Sequence, residues 1–159
     1  MIRPYEKEDR ETLLDITVCC FNERSSIARR IDDASGVKAA KDWTWRKCRE
    51  IARELEANEN GVFVAEEGGR PVGFITTRVD HETQIGSIPN LAVLPDHQGK
   101  GLGRALIGAG LAYLKEQGMT LAKIETLASN PVGQHLYVSC GFREIARQIH
   151  YVMNIDGTP

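Results

Sequence analysis

No run of apolar residues in this chain approaches the ~20 that a membrane-spanning helix requires. It opens on MIRPYEKED, which carries no apolar signal region, so no membrane partner is expected. Strong charge of either sign is also missing. Twenty Lys and Arg against 22 Asp and Glu leave a net charge of −2, which gives no reason for bulk electrostatic binding to nucleic acid or to an anionic surface. Cysteine is scarce and poorly placed for a disulfide framework. The four present (Cys19, Cys20, Cys48, Cys140) include an adjacent pair and no CxxC, so reduced thiols and a cytoplasmic location are expected. His97, His135 and His150 show no metal-ligand spacing, and no metal is expected.

What remains is ordinary globular composition, 42% hydrophobic and 26% charged. The chain is long enough to bury one core, and residues 1–159 read as a single domain. Its basic residues are uneven: Arg24, Arg29, Arg30, Lys38, Lys41, Arg46, Lys47, Arg49 and Arg53 crowd one section against Asp32, Asp33, Asp42 and Glu50. The section reads as a solvated helical surface in preference to an anionic-substrate patch.

Ile2–Tyr5 is a short strand ending at Pro4. Leu13, Ile16, Thr17 and Cys20 recur at helical spacing and predict a helix over Glu8–Phe21. Asn22–Lys41 is mixed, a loop with a helical fragment. Asp42 is an N-cap for a helix to about Asn58, with Trp45, Cys48, Ile51, Ala52 and Leu55 as its buried stripe. Trp43 falls off that stripe and reads as a packing contact at the helix entrance. Val62–Glu66, the turn Gly68–Gly69 and Val72–Val79 form a hairpin. Asp80–Gln84 is turn-like, and Ile85–Leu94 is the next strand, with Pro89 marking a bulge or an interruption of pairing. A helix over Gly101–Gln117 stops at Gly118, and Gly108 and Gly110 within it point to close packing on the sheet. Leu121–Ala128 is a further strand. Asn130–Pro131 starts a short helix ending at Gly141, and Phe142–Ile155 supplies one or two final strands. The pattern is α/β in the α+β sense: a mixed, mostly antiparallel sheet with helices on its faces.

The stretch NLAVLPDHQGKGLGRAL, residues 90–106, is a strand, a proline-bounded turn, a glycine loop and a helix start. Free N–H groups at a helix start make an anion site, and Gly99, Gly101 and Gly103 let the backbone approach a ligand. A nucleotide-triphosphate loop would need Ser or Thr after Gly99–Lys100, and Gly101 stands there instead. A dinucleotide loop needs a small sixth residue, where Arg104 or Leu106 is found.

Gln98–Gly99–Lys100–Gly101–Leu102–Gly103 resembles the Q/R-x-x-G-x-G/A loop of the GCN5-related N-acetyltransferases (GNAT), and Leu91–Pro95 resembles the strand before it. Ile124–Asn130, Leu136–Tyr137 and Cys140–Phe142 are similar to that family's fifth strand, its asparagine, and its helix ending in a tyrosine and a Gly-Phe. The second half also resembles the ribosomal-protein N-terminal acetyltransferases. The resemblance is strong over residues 85–142 and architectural before them. It implies six to seven strands flanked by about four helices, splayed between strands 4 and 5. It implies acetyl-CoA as donor, held by Leu91, Ala92 and Val93, by Gln98, Gly99, Lys100, Gly101, Leu102, Gly103 and Arg104, and by Asn130 and Tyr137. Tyr137 is the implied acid for the leaving thiolate, and Glu125 the implied base, with His81 and Glu82 as backups. Where many members carry a carboxylate before the loop, this chain has Pro89–Asn90. The expected activity is acetyl transfer to a primary amine in a ternary complex, and a non-catalytic CoA-binding module is the alternative. Peptide N-termini, protein lysines, polyamines, aminoglycosides and amino acids all stay open as acceptors, and a homodimer is a further expectation.

Overall fold

The computed structural model describes residues 1–22, 26–36 and 39–157. Arg24, Lys38 and part of the Asn22–Lys41 segment lie outside them. Five strands form one sheet in sequence order: β1 (Ile2–Pro4), β2 (Phe63–Glu67), β3 (Arg70–Arg78), β4 (Ile85–Val93) and β5 (Leu121–Ile124). The first four pair antiparallel and β4–β5 pair parallel. Five α-helices accompany them: α1 (Arg10–Cys20), α2 (Ile27–Ser35), α3 (Trp43–Ala57), α4 (Leu102–Glu116) and α5 (Pro131–Ser139).

Strand alternation sends neighbouring side chains to opposite faces, and here each face has its own core. Val64 and Phe74 meet Leu13 and Ile16 of α1 and Ile51 and Leu55 of α3. Ala65 and Ile75 meet Leu106, Ile107 and Leu114 of α4. β3 is central and buried on both sides from Val72 to Thr77, which is why its sequence reads as a nearly continuous apolar run.

Three local expectations needed correcting. The buried stripe of α3 is Trp43, Lys47, Ile51 and Leu55, whereas Trp45 is 44% exposed. The α3 cap itself is as expected, with Asp42 accepting from the Trp45 N–H at 3.0 Å. Gly110 does pack on the sheet, since a Cβ there would lie 3.1 Å from Ile75 Cδ1, but Gly108 faces open space.

The third correction concerns strand number. Among the described residues there are five strands, against the six to seven expected, and five α-helices against about four. β5 stops at Ile124, so the expected strand to Ala128 is half its length. Residues 142–157 form no strand, and their alternate apolar side chains stand in solvent: Ile145 is 87% exposed, Tyr151 90% and Ile155 93%. Alternation is a necessary condition for a strand, but the ladder also requires a neighbour running alongside. The tail has the pattern without the neighbour.

Candidate active site

The decisive local feature is where β4 loses its outer neighbour. β4 pairs with β5 from Ile85↔Leu121 to Ile88↔Ile124 and then runs on alone on that side to Val93. Pro89 sits at the change. Opposite it, the β3–β4 register shifts between Thr76↔Asn90 and Arg78↔Ser87, which leaves one extra residue on β4. This is the expected bulge, and it coincides with the departure of β5.

Beyond the bulge the edge is chemically open. The Leu94 N–H donates to the Val72 carbonyl at 2.8 Å, which makes that pair hydrogen-bonded. Antiparallel ladders alternate, so Gly73↔Val93 and Ile75↔Leu91 are non-hydrogen-bonded pairs. The amides of Leu91 and Val93 therefore point away from β3, toward the side β5 has vacated, while the Ala92 side chain is buried beneath. The Gln98 side-chain amide donates to the Val93 carbonyl at 2.9 Å and ties the following loop to this edge.

A 3-10 turn over Pro95–His97 then leads into the glycine loop. Glu67, at the end of β2, holds the turn: its carboxylate takes His97 Nδ1 at 2.7 Å and, more loosely, Lys100 Nζ at 3.4 Å. Those contacts, the His97 one foremost, keep the Glu67 carboxyl below its usual range. Gly99 and Gly101 have φ of +75° and +82°, and a Cβ at either would meet nothing within 4 Å. The loop thus needs glycine for its backbone path and leaves open space in front of it. The first intrahelical bond of α4 joins the Ala105 N–H to the Gly101 carbonyl at 3.0 Å, so the N–H groups of Leu102, Gly103 and Arg104 are unused by the helix. Gly103 has another reason to be small, because a Cβ there would lie 3.0 Å from Leu136 Cδ2 of α5. The Arg104 guanidinium is engaged, donating to the Ser139 carbonyl and hydroxyl at 2.8 and 2.9 Å. It pins α4 to α5. Lys100 is the freer cation of the loop.

α5 brings Tyr137 into the second core, edge-on to Phe142 with ring centroids 6.3 Å apart. Burial pushes its phenol up to about 12, and its hydroxyl makes no hydrogen bond to any described residue. Asn130 caps α5, accepting from the Gly133 N–H at 3.2 Å and donating to Thr126 Oγ1 at 3.0 Å. Both ends of its amide are used inside the protein.

Glu125 is the first residue past β5, not within a strand as expected, and it is exposed. Its charge is the smallest of those that raise Arg78, after the Glu54 hydrogen bond and the charges of Glu54 and Glu50. His81 and Glu82 lie in the turn before β4, at the opposite end of that strand from the glycine loop. They are exposed and are not brought to the splay.

Two residues that sequence reading passed over belong to this region. Lys47 is buried, with Nζ 2.8 Å from Asn90 Oδ1, 2.9 Å from Glu50 Oε1 and 4.5 Å from the Phe21 ring centre. Asn90 in turn donates to Thr76 Oγ1 at 3.2 Å. Lys47 thus links the strand at the splay to a carboxylate on α3. The available signal was a lysine four residues from Trp43 and four from Ile51, on the apolar stripe.

Residues 13–142 match the Acetyltransferase (GNAT) family. The chain belongs to that family. As a GNAT protein it is 36% identical over 109 residues to the mycothiol acetyltransferase of Thermomonospora curvata, covering 69% of this chain and 36% of that one. Against the mycothiol acetyltransferase of Segniliparus rotundus it is 34% identical over 115 residues, covering 69% and 43%. The chain therefore spans well under half the length of these relatives. Among solved structures it resembles the ribosomal-protein-S18-alanine N-acetyltransferase of Escherichia coli, at 26% identity, TM-score 0.67 and coverage of 99% and 86%. It also shares its fold with the PaiA N-acetyltransferase of Thermoplasma acidophilum in complex with coenzyme A, at 18% identity, TM-score 0.68 and coverage of 90% and 89%.

Proposed function

We propose that this GNAT chain forms one acetyltransferase domain that moves an acetyl group from acetyl-CoA to a primary amine. The observation that carries the reading is the end of β4, where outward amides at Leu91 and Val93 run straight into a glycine loop with unused N–H groups. The amide-like arm of the donor is suited to add as a strand to that edge. The loop amides with the α4 dipole behind them, and Lys100 beside them, suit its pyrophosphate. The Val93 N–H is the donor best placed to polarise a thioester carbonyl. Asn130 contributes by capping α5, and Arg104 by holding α4 against α5.

Direct attack needs a base for the ammonium and a proton for the departing thiolate. Glu125 is the proposed base, acting through water from the open end of β5. Tyr137 is the proposed acid. Its raised pKa keeps the phenol protonated through the neutral range, so its hydroxyl is available as a donor to the departing thiolate. A free phenolic hydroxyl beside a donor cradle favours turnover over a silent CoA-binding module. Incubation with acetyl-CoA and a panel of small amines and peptides tests the reading: amine-dependent release of CoA thiol is expected. Binding of acetyl-CoA without release from any amine would reject it.

The compartment proposed is the cytoplasm, in keeping with Cys19, Cys20, Cys48 and Cys140, none of which is in a disulfide; no helix among the described residues is long and apolar enough to cross a membrane. A homodimer is proposed as well. The strand-patterned tail with Ile145, Ile149, Tyr151 and Ile155 exposed, together with the open outer edge of β5, suits pairing with a second copy. Light scattering should give twice the chain mass for the full chain and the single mass after removal of residues 143–159.

A further inference from the structure

A cavity of about 310 Å³ opens between α3 and the end of β3. Four arginines line it, but they are not equivalent. Arg46 is spent on structure, bonding Asp32 Oδ1 at 2.6 Å and the Ala28 carbonyl at 2.9 Å. Arg78 is locked on Glu54, its Nε 2.9 Å from both carboxylate oxygens. Arg49 and Arg53 form no ion pair among the described residues. Arg49 stacks on Trp45 at 5.0 Å from the ring centre, and Lys41 approaches the same ring at 5.6 Å. Trp45, Arg49 and Arg53 recur at i, i+4 and i+8, one stripe of α3 facing the cavity. Glu50 also lines the cavity with its side chain half in solvent, and one of its oxygens is held by Lys47, which in turn bonds Asn90 at the splay.

This arrangement links the cavity wall, through Glu50 and Lys47, to Asn90 on the strand at the splay. Two unpaired guanidinium groups beside an exposed indole suit a carboxylate or phosphate, which a guanidinium fork grips through paired N–H bonds. The Glu50 carboxylate on the same wall, its other oxygen left free of Lys47, suits the ammonium end of the same molecule. The four arginines of the cavity divide into two engaged ones, Arg46 and Arg78, and two available ones, Arg49 and Arg53. Resting on the acetyl-transfer reading for its reaction, we infer that the acceptor is an amine that also carries an anionic group, held by Arg49 and Arg53 against Trp45.

The experiment compares matched pairs: lysine with cadaverine, ornithine with putrescine, and phosphoethanolamine with ethanolamine. Each is followed by CoA release and by calorimetric binding in the presence of CoA. The anionic member of at least one pair should bind about tenfold or more tightly, with a correspondingly lower KM. In the double variant Arg49→Gln/Arg53→Gln that advantage should vanish, with acetyl-CoA affinity and Tm unchanged because both side chains are exposed. The three pairs separate carboxylate from phosphate recognition. Equal binding of the partners that lack the anionic group, failure of every anionic amine to bind, or a preference that survives in the double variant would overturn the proposal. Anionic amines that bind without any acetyl transfer would reject the transfer reading and leave the pocket assignment standing.

Discussion

Tyr137 and Gly101 carry the account at the scale of single residues, for different physical reasons. Tyr137 is a desolvated phenol with a free hydroxyl, so Tyr137→Phe removes a proton donor while keeping the ring that packs on Phe142. Steady-state kinetics should show kcat lower by about 10²-fold with the KM for acetyl-CoA little changed. Because burial raises the group to about 12, its ionisation should not limit kcat near pH 10, where an ordinary phenol would. An alkaline limb at 10 that disappears in Tyr137→Phe would contradict the upward shift by burial. Gly101 holds φ +82°, where any Cβ costs about 1–2 kcal/mol. Gly101→Ala should lower Tm by several degrees and weaken acetyl-CoA binding measured by calorimetry. Sequence reading names both as expected site residues. It also assigns Arg104 and Asn130 to the ligand, and within the chain Arg104 bonds Ser139 while Asn130 bonds Thr126 and Gly133. Motif position reveals which residues are near a site but not which of their bonds are already taken.

Elements were legible where their periodicity was complete. Asp42 capping α3, the bulge at Pro89 and the stop of α4 at Gly118 all follow from local chemistry, and the structure keeps them. The stripe of α3 was misread by placing Trp45 inside, because a tryptophan outweighs its neighbours in any apolar count, while Lys47 on the true stripe was hidden by its charge. In α4 the two glycines give opposite predictions. Gly108 faces open space, so Gly108→Ala should stabilise by about 1 kcal/mol through helix propensity, raising Tm by roughly 2–4 °C. Gly110 lies against Ile75 and Thr77, so Gly110→Val should destabilise by about 1–3 kcal/mol through overpacking. Thermal melts of the two variants moving in the same direction would show that α4 is packed otherwise.

For the whole molecule, the parts that long-range contacts must supply were the least legible. The number of strands was one such part: residues 142–157 alternate as a strand does, yet form none. The connection of β1 to the rest was another. Arg3 joins Asp9 at 2.7 and 2.8 Å and Glu66 at 2.7 Å, bonds whose partners are far apart in sequence or unremarkable in it. The Arg3 guanidinium holds the Asp9 carboxyl below its ordinary value of 3.8. A depressed carboxylate stabilises the fold above the unfolded pKa and loses that contribution as pH falls through the lower, folded one. Arg3→Gln should therefore cost about 2–3 kcal/mol at neutral pH, and the gap to the unmodified chain should close as the pH drops below about 4. Urea melts at pH 7 and pH 3 would check both.

The central claim is that the open edge of β4, its glycine loop and Tyr137 form the donor half of an acetyl transfer. Its most direct test is CoA thiol release, measured across an amine panel for the unmodified chain and for Tyr137→Phe under saturating acetyl-CoA. The account predicts amine-dependent release by the first and a loss of about 10²-fold in the second, with equal acetyl-CoA binding by calorimetry. Equal rates in both proteins, or no release from any amine by a chain that binds acetyl-CoA, would contradict it.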